Sequence, residues 1–99
     1  MNIIIIEDER LTAEDLNDII MDLEPEAKIV ATLSSVHEAL AYFRNHEEPD
    51  LIFSDIQLGD GLSFEVFQTI DIKAPIIFCT AYDEYAIEAF QTNGIHYIL

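Results

Sequence analysis

The sequence predicts an α/β fold built on a parallel sheet with helices on both faces. Three observations carry this expectation. Short apolar runs recur at residues 3–6, 29–33, 51–53, 76–79 and 95–99; segments with apolar residues at helical spacing alternate with them; and the connections are short. Runs that are apolar nearly throughout, rather than at every second position, belong to strands covered on both faces.

The elements follow in order. Ile3, Ile4, Ile5 and Ile6 form a β-branched run that reads as a central strand and ends in the acids Glu7, Asp8 and Glu9. From Arg10 the pattern changes to Leu11, Leu16, Ile19, Ile20 and Leu23, with Glu14, Asp15, Asp18 and Asp22 between them, which predicts a helix burying that apolar stripe; Pro25 closes it. Residues 29–33 are the second strand. Ser35 and Glu38 have the spacing of a capping box, so a helix starts there, carries Ala39, Leu40 and Phe43 inward and stops near Asn45. Pro49 precedes the third strand, residues 51–53, which runs into Asp55 and the Gly59-Asp60-Gly61 turn. Leu62, Phe64, Val66 and Phe67 predict a short helix ending before Ala74-Pro75. The fourth strand, 76–79, ends at Thr80. Ala86, Ala89 and Phe90 mark a further helix with Asn93-Gly94 as its stop. Residues 95–99 begin a fifth strand.

Length allows one domain, expected over residues 1–99. With 51% hydrophobic residues and only 3 Gly and 3 Pro, the composition is that of a folded chain, without an apolar run long enough for a membrane span. Met1-Asn2 leads straight into the first strand with no basic leader, and the single Cys79 cannot staple a secreted fold, so a cytoplasmic location is expected. The 20 Asp and Glu against 4 Lys and Arg give a net charge of −16, which repels nucleic-acid phosphates and favours divalent cations and basic protein surfaces. Most of those acids are accounted for by solvated helix faces.

In an open parallel sheet the ligand crevice lies beyond the carboxyl ends of the strands. The first strand delivers Glu7 and Asp8 there, the third Asp55 and the fourth Thr80. Carboxylates this close disfavour one another's ionisation unless a cation is present, and an open cluster of hard oxygen ligands suits Mg²⁺. His37, His46 and His96 are scattered, at no zinc-binding spacing. Asp55 is the candidate nucleophile toward a phosphoryl group, forming an acyl phosphate, with Thr80 placed to bond a phosphoryl oxygen. The structural alternatives are an Asp that opens a turn and a Thr that closes a strand.

These residues resemble a known family. Glu7-Asp8 after the first strand, Asp55 in Asp-Leu-Ile-Phe-Ser-Asp-Ile, Thr80-Ala81 and Tyr97 together resemble the receiver domain of bacterial two-component response regulators, the CheY-like family. The segments Leu58-Gly59-Asp60-Gly61-Leu62-Ser63-Phe64 and Thr80-Ala81-Tyr82-Asp83-Glu84-Tyr85-Ala86 look like receivers of the LytTR class, which carry a DNA-binding domain after the receiver. The resemblance implies a flavodoxin-like, doubly wound sheet of five strands in order 2-1-3-4-5. It implies phosphoryl transfer from a sensor histidine kinase to Asp55, Mg²⁺ held by Asp8, Asp55 and the backbone carbonyl of Gln57, with Glu7 acting through water, and Thr80 and Tyr97 as a switch pair. DNA would be reached only through a separate C-terminal domain, and the receiver itself would not be an enzyme.

Two departures qualify the resemblance. Gly59 stands where many receivers have Pro, which predicts a more mobile loop. The family's Lys after the switch aromatic, and its fifth helix, would follow Leu99, so the resemblance implies a receiver truncated before them. Ile3, Ile5 and residues 95–99 would then lie open to water, favouring self-association. Two other readings stay open. A pseudo-receiver would keep the fold as an interaction module without phosphorylation. A haloacid-dehalogenase-type phosphatase would need a second acid two residues after the nucleophile, where this chain has Gln57.

Overall fold

The computed structural model describes residues 1–79 and the strand at 95–98. The sheet is built on the isoleucine run. Strand β1 (Asn2–Ile6) lies between β2 (Lys28–Leu33) and β3 (Leu51–Ser54), both parallel to it, and β6 (Ile76–Cys79) and β7 (Ile95–Ile98) continue the sheet in the order β2-β1-β3-β6-β7. Counting the long strands alone, this is the expected 2-1-3-4-5. The short strands β4 (Gln57–Leu58) and β5 (Gly61–Leu62) form a separate antiparallel hairpin.

Alternation along β1 divides its isoleucines between two cores. Ile4 and Ile6 pack with Ile52, Ile76 and Phe78 beneath α2 (Val36–Asn45) and α3 (Phe64–Thr69), which contribute Val36, Ala39, Phe43 and Val66. On the other face Ile3 and Ile5 meet Ala13 and Ile20 of α1 (Arg10–Leu23), with Leu16, Ile29, Leu51 and Phe53 around them. Each buried isoleucine contributes roughly 1.5–3 kcal/mol relative to an exposed one. The expectation that Ile3 and Ile5 lie open to water is therefore corrected: they are 1% and 0% exposed because α1 covers them. Leu51, Phe53 and Ile77, farther along that face, are only half-buried. The side chains of residues 95–99 lie outside the described residues.

Helix α1 has the expected length but not the expected face. Leu11, Ile19 and Leu23 are 66%, 55% and 75% exposed, while Ala13 and Ile20 are buried and Leu16 half-buried. The small Ala13 sits on the sheet-facing side with Ile20, and the larger residues fall on a flank that β1 and β2 do not reach. Helix α2 begins at the expected cap, with the return bond made one residue before it. Ser35 Oγ accepts the Glu38 N–H at 2.9 Å, and Glu38 Oε1 reaches back to the Ser34 N–H at 2.6 Å. The helix expected around Ala86, Ala89 and Phe90, and its stop at Asn93-Gly94, lie outside the described residues.

Candidate functional site

The acids meet because β1 and β3 are neighbours and end at the same level. The Asp55 N–H donates to Ile6 O at 2.9 Å, and the Glu7 N–H donates to Leu33 O at 2.9 Å, so both residues continue the ladder just past their strands. The chain leaves β1 toward β2 on one side, while β3 lies on the other, and this reversal opens the crevice. Glu7, Asp8 and Asp55 each bring a carboxylate oxygen to within 4.8 Å of the other two. Among the described residues no other group of three His, Cys, Asp or Glu side chains converges in this way. A cavity of about 380 Å³ opens beside them, lined by Asp8, Glu9, Asp55, Gln57, Leu58 and Gly59.

Burial dominates the electrostatics. Glu7 is only 8% exposed, and desolvation pushes its carboxyl up from 4.5 to about 7; the Glu9 N–H, which donates to Glu7 Oε2 at 3.2 Å, opposes this, and the Asp55 and Asp8 charges add to it. Burial also raises the Asp55 carboxyl, against the lowering pull of the Ile56 N–H at 2.8 Å and the Gln57 N–H, with the Asp8 charge raising it further. Cys79, at the end of β6, lies in the same field: burial first, then Asp55 and Glu7, push its thiol up to about 11. Asp8 is the exposed member of the cluster.

The raised Glu7 value has a stability consequence. Below 4.5 Glu7 is protonated in both folded and unfolded chains. As pH rises from 4.5 through 7 the unfolded chain loses a proton that the folded chain keeps, so folding stability falls, by about 3 kcal/mol for a shift of this size. Asp55 acts in the same direction. Urea midpoints between pH 4.5 and 7.5 should therefore fall, and Glu7→Gln should flatten the slope. An equal slope in Glu7→Gln would assign the loss to general charge repulsion instead.

The hairpin after Asp55 was not foreseen from the sequence, although the Gly59-Asp60-Gly61 turn is a hairpin signal. Gln57 pairs with Leu62 and Leu58 with Gly61. Gly61 has φ 149°, and a Cβ there would run into the Glu65 side chain, whose Oε2 accepts the Leu62 N–H at 3.0 Å. Hydrogen bonds join the tip of this turn to another element. Asp60 Oδ1 accepts the Val36 N–H at 2.8 Å and Oδ2 the His37 N–H at 3.0 Å, both at the start of α2. These bonds hold the Asp60 carboxyl below its ordinary value. Thr80 lies outside the described residues, as does the side chain of Tyr97, although Tyr97 itself is in β7. His46 is an exposed residue, its ring stacked on Tyr42 at 4.1 Å.

Residues 3–99 match the response regulator receiver domain. The chain belongs to the receiver domain family. It is 39% identical over 102 residues to the sensory transduction protein LytT of Enterococcus faecalis, covering 100% of this chain and 41% of that protein. It is 34% identical over 103 residues to the positive alginate biosynthesis regulatory protein of Pseudomonas aeruginosa, again covering 100% of this chain and 41% of that one. The crystal structure of the response regulatory domain of protein mrkE from Klebsiella pneumoniae superposes with a TM-score of 0.80 at 33% identity, covering 100% of this receiver and 82% of that chain. The LytT-type likeness expected from the loop after Asp55 is thus borne out. The receiver spans about two fifths of the length of these curated relatives. No helix among its described residues is long and apolar enough to cross a membrane.

The donor set fits a hard divalent cation. Among the described residues three carboxylates and no softer ligand converge, and burial first, with the neighbouring charges adding to it, raises the Glu7 and Asp55 carboxyls, costs that a bound cation would offset.

Proposed function

We propose that this receiver accepts a phosphoryl group on Asp55 from a sensor histidine kinase, and that the change controls the output of a separate DNA-binding domain. The observation that carries the reading is the meeting of Glu7, Asp8 and Asp55 at one crevice, with Asp8 and Asp55 lining the cavity beside it. An Asp55 carboxylate oxygen attacks phosphorus, the P–N bond to the kinase histidine breaks, and the imidazole leaves with the electron pair. Mg²⁺, held by Asp8, Asp55 and the Gln57 carbonyl with Glu7 behind them through water, would offset the charge developing on the phosphoryl oxygens. The Ile56 N–H holds Asp55 Oδ1 at 2.8 Å and so orients the nucleophile. Thr80 and Tyr97 remain the proposed switch pair.

The receiver does not turn over substrate in this reading, and it works in the cytoplasm. Position 57 supplies Gln where a phosphatase of the haloacid-dehalogenase type would need its general acid and base, which disfavours that alternative. Retention of all three acids likewise disfavours a pseudo-receiver. Incubation with acetyl phosphate and Mg²⁺ should add one hydroxylamine-sensitive acyl phosphate, with no sustained release from a phosphate monoester. Continuous release would favour the phosphatase, and absence of both would favour the interaction module.

Self-association belongs to the same reading. The exposed Leu11, Ile19 and Leu23 of α1 offer an apolar strip to a second copy. Sedimentation of the 99-residue chain should show reversible dimerisation weakened by Leu23→Ser. A concentration-independent monomer would refute it.

A further inference from the structure

The hairpin β4–β5 forms one wall of the acidic pocket. Gln57, Leu58 and Gly59 line the cavity, and Gly59 comes so close to Asp8 that a Cβ on it would lie 3.7 Å from Asp8 Oδ2. A ladder of two residue pairs cannot hold such a wall in place by itself. Two of its ties are local: the Ser63 N–H donates to Ile56 O at 2.8 Å, and the Leu62 N–H to Glu65 Oε2. A third hydrogen-bonded tie leaves the segment, beside the packing of Leu58 and Leu62 on the core that also holds Val36. Asp60, at the tip, takes the first two N–H groups of α2 with its two carboxylate oxygens, across 24 and 23 residues of chain.

The tie also completes the cap of α2. Ser35 takes the Glu38 N–H and Glu38 takes the Ser34 N–H, which leaves the Val36 and His37 N–H groups without a local acceptor. With Asp60 added, the N–H groups of Val36, His37 and Glu38 are all taken. A carboxylate bridging two N–H groups at the positive end of a ten-residue helix makes charge-assisted bonds of defined direction, and so fixes position as well as energy.

We propose that Asp60 is a positioning residue for the acidic pocket, fastening the wall that carries Gln57 to the first turn of α2, so that a cation entering the pocket is felt at Val36 and His37. The inference rests on the proposed metal reading and names a residue outside its ligand set. Asp60 touches neither the cation nor the phosphoryl group. It acts by holding the Gln57 carbonyl and Gly59 against Asp8 and Asp55.

The test is an amide-resolved NMR titration of the ¹⁵N-labelled 99-residue protein with MgCl₂, against matched NaCl. In the unmutated protein the Val36 and His37 amides should shift with the same Kd as Ile56 and Gln57. Asp60→Ala should abolish the response at Val36 and His37, keep it at Ile56 and Gln57, and raise the Kd roughly tenfold, the scale on which lost outer-sphere support is felt. Asp60→Asn, which keeps one acceptor oxygen, should fall between, and it carries the comparison should Asp60→Ala lose its amide dispersion. A response at Ile56 and Gln57 that never reaches Val36 and His37, or an unchanged Kd in the variants, would overturn the inference alone. Silence at Ile56 and Gln57 would overturn the metal reading, and the inference with it.

Discussion

Asp55→Asn is expected to reduce phosphoryl incorporation from acetyl phosphate to background, a loss of at least about a hundredfold, while leaving the fold in place. The substitution is nearly isosteric. Its amide oxygen can still accept the Ile56 N–H that Asp55 Oδ1 accepts at 2.8 Å, so β3 keeps its end geometry. What is lost is a carboxylate lone pair able to attack phosphorus, and one of the three negative charges in the crevice. Because burial and Asp8 raise the Asp55 carboxyl, removing its charge should also lower the Glu7 value and steady the metal-free protein slightly. Mass analysis of the two proteins after equal incubation, with circular dichroism as the control for folding, decides the point. Undiminished labelling of Asp55→Asn would move the acceptor to another residue and remove the basis of the phosphoryl-transfer reading.

The second large effect is expected from Asp8→Ala. Asp8 is the exposed acid of the cluster, so its removal leaves no cavity in the core, yet its charge bears on both Glu7 and Asp55. The metal-free variant should therefore melt higher than the unmutated protein. Its response to Mg²⁺ should nearly vanish. For the unmutated receiver, Mg²⁺ at a hundred times its Kd adds about 2.7 kcal/mol by preferential binding to the folded state. At about 4–8 °C per kcal/mol for a domain of this size, that is a rise of ten degrees or more. Matched NaCl should raise both proteins a little through screening. Melting curves in chelator, Mg²⁺ and NaCl separate the effects, and a full Mg²⁺ response in Asp8→Ala would show that these acids do not form one metal site.

The acids were legible in the sequence because their positions depend on local pattern alone. A buried β-branched run can only end where the chain turns polar, and Glu7, Asp8 and Asp55 stand at those ends. The α2 cap was legible for the same reason, Ser35 and Glu38 being three residues apart. Helix α1 shows where periodicity fails. Leu23 lies three residues from the buried Ile20 but Ile19 and Leu11 lie about 100° and 180° around the helix from it, so the apolar residues span too wide an arc for all of them to face the sheet. Asp60 was less accessible still, because its partners Val36 and His37 lie on another element and no spacing rule links them.

The placement of β1 beside β3 also governs when the site comes into being. Ile3 aligns with Leu51 and Ile6 with Ser54, so the strands that carry the acids join only after a loop of about fifty residues has closed. Parallel pairings between such distant segments form late and slowly compared with helices and hairpins. An unfolded or newly made chain thus holds all three acids without holding a site, and on the proposed metal reading its affinity for a divalent cation would arise in the same step as its tertiary structure. Cation binding would in this sense be a measure of complete folding, insensitive to any intermediate in which α1 and α2 have formed but β1 and β3 have not yet met.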